Sequence, residues 1–305
     1  MKRGRRTLVK FFKLVPKPLV WRFAKGYIAG ARLEDAVRTV RALNGEGCRA
    51  TVDVLGEDVA DEREVQGFVD AYRRTIEAIV REGLDANVSI KPSAMGLKID
   101  PALALRAAGD VVRAAGKHGM FVRIDMEDSS TVDATFDLYA RLRAEGNENV
   151  GVVLQAMLRR TLADAARLAA EGANVRLVKG IYVEPRPVAF GEFDAVRQSY
   201  ARLAELLLAA PRGYTAIATH DEWLTVEARH AAARLGAGRD RFEFQMLLGV
   251  DPLLRRTLVA EGYGMRVYVP FGAGWHGYSI RRLVENPRVA GHVARAALGL
   301  GPKTE

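Results

Sequence analysis

The sequence predicts an α/β protein that folds as a TIM-like (β/α)8 barrel, with an N-terminal helical extension and a C-terminal helix over the barrel mouth. Eight short runs with strand character recur along the chain, and successive runs lie 25 to 40 residues apart. The segments between them repeat apolar residues every three or four positions, as helices do. Each interval therefore holds one βα unit, and this alternation favours a parallel sheet. Eight units favour closure into a barrel; an open doubly wound sheet is the alternative.

The elements can be placed in chain order. Residues 26–48 precede the first strand and form the helical extension. The predicted strands, each a short run rich in β-branched or aromatic residues, are 50–55, 87–91, 121–125, 150–155, 175–179, 215–219, 242–245 and 266–269. The clearest helices are 102–117, 161–171 and 194–209. We expect two regions: a basic arm with helices over residues 1–48 and a catalytic barrel over residues 49–305.

Composition excludes several classes of protein. Of 305 residues, 49% are hydrophobic and 27% are charged, which excludes a wholly disordered chain. The single cysteine, Cys48, has no partner in the chain for a disulfide or for a Cys-x-x-Cys metal or redox motif. We therefore expect a cytoplasmic protein and predict no metal site.

The net charge of +9 is confined to the N-terminus. Residues 1–25 hold nine of the 46 basic residues and no acidic residue, so the remaining 37 basic residues balance the 37 acidic ones. A neutral body argues against a nucleic-acid footprint. Because aromatic and aliphatic residues interleave with the cations, the arm suits contact with an anionic membrane surface, on the inner face of the cell membrane. A helix that packs on the body or frays is an equal alternative, and an interrupted secretory signal is a weaker one.

Polar residues end most of the predicted strands. In a barrel of this kind, chemistry takes place at the carboxyl ends of the strands, so these residues predict a polar active site at the mouth. They are Lys91, Asp125, Gln155, Lys179, Thr219 with His220 and Asp221, and Gln245, while the eighth strand leads through Tyr268 to Phe271. Asp53 and Arg123 lie in mid-strand, so we expect a buried structural pair or a contact to a covering helix and exclude both from the site.

The segment after the last strand adds a cationic cluster. Tyr278, Arg281, Arg282 and Glu285 share one face of a helix at this spacing. Two adjacent guanidinium groups at a barrel mouth suit a substrate carboxylate, and a solvated helix end is the alternative. The preceding residues 272–277 match G-x-G-x-x-G, but Ala297 stands where a dinucleotide fold carries an acidic residue.

Six motifs on these elements resemble, in order, those of the flavin-dependent proline dehydrogenase family. They are SIKPS at 89–93, RIDMED at 123–128, RLVKGIY at 176–182, ATHD at 218–221, FEFQML at 242–247 and YSIRR at 278–282. The chain length resembles that of the monofunctional bacterial members. The resemblance implies a distorted (β/α)8 barrel, non-covalent FAD, and oxidation of L-proline to Δ1-pyrroline-5-carboxylate with a membrane quinone as electron acceptor.

The same resemblance implies roles for individual residues. Asp125 and Arg176 would be the catalytic residues. The substrate would be bound by Lys91, Tyr268, Tyr278, Arg281, Arg282 and Leu247, of which Lys91 and the two arginines take the carboxylate. The flavin would be bound by Met126, Gln155, Arg176, Lys179, Gly180, Ile181, Thr219 and His220.

Two positions refine the expectation. Ile181 stands where the family usually has a small alanine beside the flavin, so its extra volume could change how the flavin is seated. Tyr268 resembles the aromatic residue that separates proline from hydroxyproline as substrate, so we expect proline. A Schiff-base aldolase that uses Lys91 or Lys179 is the alternative enzyme, because a desolvated lysine in a barrel mouth becomes nucleophilic.

Overall fold

The protein is a closed barrel of eight parallel strands. In the computed structural model, residues 26–276 and residue 279 are described. The strands pair in sequence order, and β8 pairs with β1 to close the barrel. They are β1 (Arg49–Val54), β2 (Ala86–Ile90), β3 (Val122–Ile124), β4 (Val150–Gln155), β5 (Asn174–Val178), β6 (Tyr214–Ala218), β7 (Phe242–Leu247) and β8 (Met265–Phe271). This confirms the barrel predicted from the alternating pattern.

Helices cover the outside of the barrel. They are α1 (Leu33–Gly45), α2 (Glu62–Arg81), α3 (Pro101–Gly116), α4 (Val132–Ala144), α5 (Thr161–Glu171), α6 (Phe193–Ala209), α7 (Glu222–Leu235) and α8 (Pro252–Ala260). A short 3-10 helix, Ser129–Thr131, leads into α4. Helix α1 lies in the predicted N-terminal extension and precedes β1. No helix in residues 26–276 is long and apolar enough to cross a membrane.

Local sequence signals fix where several helices begin and end. The side chain of Asp61 accepts the Glu64 N–H at the start of α2, and Asp100 caps α3 immediately before a proline in its first turn. Helices α5 and α7 end at Gly172 and Gly236, both left-handed, a conformation that glycine adopts without steric cost. The turn at Gly172 lets β5 begin two residues later, at Asn174.

The barrel interior is polar, whereas the outer face of the sheet is apolar. Along β1, Ala50, Val52 and Val54 belong to the hydrophobic core formed with the helices. The alternate residues carry polar side chains, as Thr51 shows by donating to Asn87 of β2 at 2.5 Å. Side chains from strands that are not neighbours also bond to each other, which is geometrically feasible only across the interior. The barrel core is therefore a hydrogen-bonded network that leads to the mouth.

The observed bounds differ slightly from the predicted ones. Strand β3 is three residues long, two fewer than predicted, and β8 extends to Phe271 because Val54 pairs with it. The basic arm at 1–25 and the predicted helix that carries Tyr278, Arg281 and Arg282 lie outside the described residues. The division at residue 48 stays a prediction.

Candidate active site

Lys91 lies at the carboxyl end of β2 and is held by a buried carboxylate. Its Nζ is 2.5 Å from Oδ1 of Asp53 and 3.9 Å from Oδ2 of Asp125. It is also 3.5 Å from the hydroxyl of Tyr268 on β8. Only 12% of the Lys91 side chain is exposed and none of Asp53 is. One ammonium thus joins strands β1 and β2 to residues following β3 and on β8.

Asp125 connects the two sides of the barrel. Its Oδ1 accepts from Nη1 of Arg176 at 2.8 Å and from the hydroxyl of Ser89 at 2.7 Å. Its Oδ2 accepts from the Tyr268 hydroxyl at 2.8 Å. The Arg176 guanidinium lies 5.3 Å from the centre of the Tyr268 ring, a cation–π distance. The predicted residues Lys91, Asp125, Arg176 and Tyr268 therefore form one cluster.

Burial and charge set the protonation of this cluster. Burial alone lowers the pKa of Lys91, but the charges of Asp53 and Asp125 outweigh it and raise that pKa above its usual value. Burial, followed by the charges of Asp125 and Asp53, raises the pKa of Tyr268 well above its usual value. Lys91 is therefore an ammonium, and Tyr268 is a neutral donor to Asp125, at physiological pH.

A second layer orients Arg176 from deeper in the barrel. Its Nε donates to Oε1 of Gln245 at 2.7 Å, and Nε2 of Gln245 donates to Glu243 at 2.6 Å. Glu243 also accepts from Nε of Arg266 at 2.7 Å. Because the Gln245 amide has a donor on one side and an acceptor on the other, its orientation is fixed. The Nε and Nη1 atoms of Arg176 are therefore both held by hydrogen bonds, to Gln245 and to Asp125.

The residues expected to bind a flavin line the ends of β4, β5 and β6. Gln155 is buried, and its side-chain nitrogen donates to the backbone oxygen of Glu127 at 2.8 Å. Thr219 is buried, and its hydroxyl accepts the Asp221 N–H. Gly180 has φ of 99°, and a Cβ there would lie 2.6 Å from the Met157 side chain. Ile181 is 44% exposed, so the structure places it on the surface of the loop after β5, whereas Met126 is buried.

Lys179 and His220 each make a specific contact at this rim. Lys179 Nζ lies 2.6 Å from Asp221, whose two oxygens also bind the fork of Arg197 at 2.8 and 2.7 Å. Nε2 of His220 accepts the N–H of Leu247 at 2.8 Å, which ties the end of β6 to the end of β7. Leu247 is the last residue of β7 and is partly buried. The rim thus combines cations and neutral polar side chains with Gly180, a position that has no side chain.

The prediction for Asp53 and Arg123 was a buried structural pair or a contact to a covering helix, outside the site, and Asp53 lies 3.4 Å from Tyr72 of the covering helix α2. Asp53 and Arg123 are both buried, but Asp53 pairs with Lys91, whereas Arg123 donates to backbone oxygens of Val152 and Asn174. The signal in the sequence was the alternation of Arg49, Thr51 and Asp53 with apolar residues. Parallel barrel strands are usually apolar on both faces, so this alternation marks a polar interior that Asp53 shares with Lys91.

The geometry argues against a Schiff-base lysine. Such a lysine needs a lowered pKa to be nucleophilic, whereas the carboxylates beside Lys91 raise its pKa. Lys179 is also paired with a carboxylate. In the part of the chain that the structure describes, no three His, Cys, Asp or Glu side chains are grouped to hold a metal ion.

Comparisons with known proteins agree with the fold and the motifs. The family model described as proline dehydrogenase matches residues 36–295. Proline dehydrogenase of Deinococcus radiodurans is 39% identical over 283 residues, 92% of this chain and 91% of that protein. Proline dehydrogenase 1 of Bacillus subtilis strain 168 is 36% identical over 293 residues, 96% of this chain and 95% of that protein.

A solved structure shows the same architecture. Proline utilization A (PutA) from Bdellovibrio bacteriovorus aligns with a TM-score of 0.80 at 24% identity, over 92% of this chain and 36% of that longer chain. This likeness supports the barrel fold. Because the family model covers most of the chain and the bacterial relatives match it along nearly their full length, the chain belongs to the proline dehydrogenase family.

Proposed function

We propose that the protein oxidises L-proline to Δ1-pyrroline-5-carboxylate, with FAD as the hydride acceptor. The observation that carries the proposal is the cluster of Lys91, Asp125, Arg176 and Tyr268 at the carboxyl end of the barrel. It presents two cations, a carboxylate and an aromatic ring within hydrogen-bond reach of each other. An amino acid with a small apolar ring needs groups of these types.

The substrate carboxylate binds to Lys91 in this proposal. The ammonium is charged and mostly buried, so an ion pair formed there is screened little by water. Arg281 and Arg282 are proposed to complete the set from the segment after β8, because a planar guanidinium matches a carboxylate bidentately. The Tyr268 ring, Leu247 and Tyr278 are proposed to enclose the pyrrolidine ring.

The residues at the ends of β4 to β6 fit a flavin nucleotide. Lys179 supplies positive charge, and Gln155, Thr219 and His220 supply neutral polar groups, for contact with the flavin nucleotide. Backbone at Gly180 and Met126 is proposed to contact the flavin; position 180 requires glycine, because its φ is 99° and a Cβ there would meet Met157. When bound, FAD would supply a two-electron acceptor next to the substrate ring. We propose Arg176 and Lys179 as the cations that balance negative charge gained there.

The chain's own residues hold the substrate for this reaction. Removal of a hydride from C5 of the neutral amine leaves a protonated imine, which becomes the product when its N–H proton passes to solvent. Asp125 is proposed to line the side of the pocket that faces the ring nitrogen of the substrate. Its hydrogen bonds also fix the positions of Arg176 and Tyr268. Positioning of this kind lowers the barrier because the reacting groups need no reorganisation.

We also propose that electrons leave to a membrane quinone and that residues 1–25 bring the protein to the inner face of the cell membrane. The nine cations and the interleaved apolar residues of this arm support the proposal, since together they suit an anionic interface.

Absorbance spectroscopy tests the cofactor and the substrate together. Purified protein reconstituted with FAD is expected to show a flavin spectrum that bleaches when L-proline is added without oxygen. A bound flavin that proline does not bleach would contradict the substrate. A protein that binds no FAD would contradict the whole proposal.

Substrate choice has its own test. We expect L-proline to be turned over much faster than trans-4-hydroxyproline, because the Tyr268 hydroxyl is already bound to Asp125 and cannot turn away from an added hydroxyl. Comparable kcat/KM values for the two compounds would contradict this role of Tyr268.

A further inference from the structure

Asp53 is a buried carboxylate without a role in the reaction proposed above. It lies on β1 beside Ser89 of β2 and is fully buried. Its Oδ1 is 2.5 Å from Lys91 Nζ, and its Oδ2 has no hydrogen-bond partner among the described residues. Burial of an ionised carboxylate is costly unless a charged partner compensates it. The ammonium of Lys91 is that partner.

The position of Asp53 is itself fixed. The Tyr72 hydroxyl, from helix α2, donates to the Ser89 backbone oxygen at 2.6 Å and lies 3.4 Å from Asp53 Oδ1. Tyr72 is fully buried in the hydrophobic core. A lysine side chain has four flexible torsions, so the rigid carboxylate at its end decides where the ammonium is.

Without that carboxylate, Lys91 would have a competing partner. Asp125 Oδ2 is 3.9 Å from Lys91 Nζ and already accepts from Tyr268. An ammonium released from Asp53 would move toward Asp125 and away from the substrate. From these contacts we infer that Asp53 is a positioning residue that keeps the Lys91 ammonium charged and in place to bind the substrate carboxylate. This inference rests on the proposed function.

The groups around Lys91 make pH the most direct readout. Asp53, Asp125 and Glu127 raise the pKa of Lys91 against the effect of burial. Tyr72 and Tyr268 also face the cluster, and burial holds the pKa of each well above its usual value, so neither titrates below about pH 10. Arg176 is the remaining charged group that faces the cluster, through its contact with Asp125. Loss of Asp53 therefore lets burial lower the pKa of Lys91.

The test uses cyclopentanecarboxylate, which has a five-membered ring and a carboxylate but no amine that titrates. Its Kd for the FAD-loaded oxidised enzyme is measured by calorimetry against pH for wild type and Asp53→Asn. In the variant, we expect affinity to be lost at least about one pH unit lower than in wild type, the order of shift that one close opposite charge produces. The variant's Kd is expected to rise a few-fold near pH 6, where the displaced ammonium still carries its charge, and about tenfold more in the alkaline range, where that charge is lost.

Three further variants separate positioning from general damage. Asp58→Asn is the matched control, because Asp58 makes the same Lys–Asp contact, 2.7 Å from Lys98, on the exposed rim. It is expected to leave the pH profile unchanged. Lys91→Met should abolish the alkaline loss, and adding Asp53→Asn to it should change the Kd no further. If Asp53→Asn does not fold, Tyr72→Phe is expected to shift the profile in the same direction by less.

The outcomes distinguish the inference from the proposed function. An Asp53→Asn profile that superimposes on wild type, in an enzyme that oxidises proline, would overturn the role of Asp53 alone. A loss of affinity of the same size at all pH values would also overturn it, since the pKa of Lys91 would then not depend on Asp53. Wild-type protein whose flavin proline does not reduce would overturn the proposed function. Cyclopentanecarboxylate binding that Lys91→Met leaves unaltered would overturn the carboxylate site.

Discussion

Individual residues in this site act through shared contacts. Asp125 uses one oxygen for Arg176 and the other for Tyr268, and Arg176 in turn uses Nε for Gln245. Each group is buried or nearly so, and each polar contact is made to a specific partner. A buried charge that loses its partner costs several kcal/mol, so a change at one of these residues is expected to alter the others.

Arg176→Lys tests the need for a forked cation. Lysine keeps the charge but cannot reach both Gln245 and Asp125, which the two arms of the guanidinium hold at 2.7 and 2.8 Å. We expect kcat/KM for L-proline to fall about a hundredfold, the cost of one charged hydrogen bond. Steady-state kinetics with a dye acceptor would measure it. Arg160→Lys, at a half-exposed ion pair, is the control, and equal effects of the two changes would contradict the prediction.

At the scale of secondary structure, β7 and β8 carry a buried ion pair below the site. Glu243 of β7 accepts from Arg266 of β8 and from Gln245, two residues along its own strand. Burial alone raises the pKa of Glu243, but the charge and hydrogen bond of Arg266 outweigh it and lower the pKa below its usual value. The ionised form is thus the one that stabilises the fold.

Glu243→Gln tests this pair through the pH dependence of stability. Because the folded pKa is lowered, the ionised carboxylate stabilises the protein above the usual glutamate pKa of about 4.3, and this contribution is lost as pH falls through the folded pKa. We expect the variant to be about 2 kcal/mol less stable than wild type near neutral pH, with a gap that narrows in acid. Urea unfolding at several pH values measures the gap. Glu205→Gln, at an exposed pair, is the control; a gap that is constant with pH would contradict the prediction.

Two glycines test how tightly the elements pack. A Cβ on Gly151 of β4 would overlap the backbone oxygen of Asn174 and lie 2.7 Å from Nη1 of Arg123, whereas a Cβ on Gly67 of α2 would meet nothing within 4 Å. We expect Gly151→Ala to destabilise the fold by about 3 kcal/mol and Gly67→Ala to stabilise it by roughly 0.5–1 kcal/mol. Thermal unfolding measures both. A Gly151→Ala variant as stable as wild type would contradict the prediction, since both the Asn174 backbone and the Arg123 side chain would then have to move aside at no cost.

For the whole molecule, charge is divided between a neutral body and a basic arm. Residues 26–305 contain equal numbers of basic and acidic residues, so the net charge of +9 belongs to residues 1–25. We propose that this separation directs association with anionic surfaces to residues 1–25, while residues at the barrel mouth carry out the chemistry.

Deletion of residues 2–25 tests the role of the arm. We expect binding to liposomes that contain anionic lipids to fall strongly, because each basic residue near such a surface contributes about 1 kcal/mol. Oxidation of proline with a soluble dye as acceptor is expected to stay largely intact. Sedimentation with liposomes, compared with neutral liposomes as the control, measures the first quantity. Unchanged liposome binding would contradict the membrane role.

The sequence predicted the strands, the barrel and most of the clustered residues. Site residues at strand ends, such as Lys91 and Asp125, could be predicted because a parallel barrel brings the carboxyl ends of all its strands to one face, whichever side chains they carry. The contact of Asp53 with Lys91 could not be predicted, because a charged residue in mid-strand does not reveal its partner. Gln245 was noted as a strand end, but its contact with Arg176 depends on the rotamers of two long side chains.

What the sequence by itself determined is local: the order of strands and helices, the alternation that marks a polar interior, and the motifs of the family. These follow from side-chain periodicity and turn chemistry within a few residues. Only the tertiary structure decided which charges meet. Closure pairs β8 with β1, which brings Tyr268 within reach of Lys91 and Asp125. Contacts across the barrel, such as that between Arg176 of β5 and Ser89 of β2, depend on its diameter and register, which no single segment specifies.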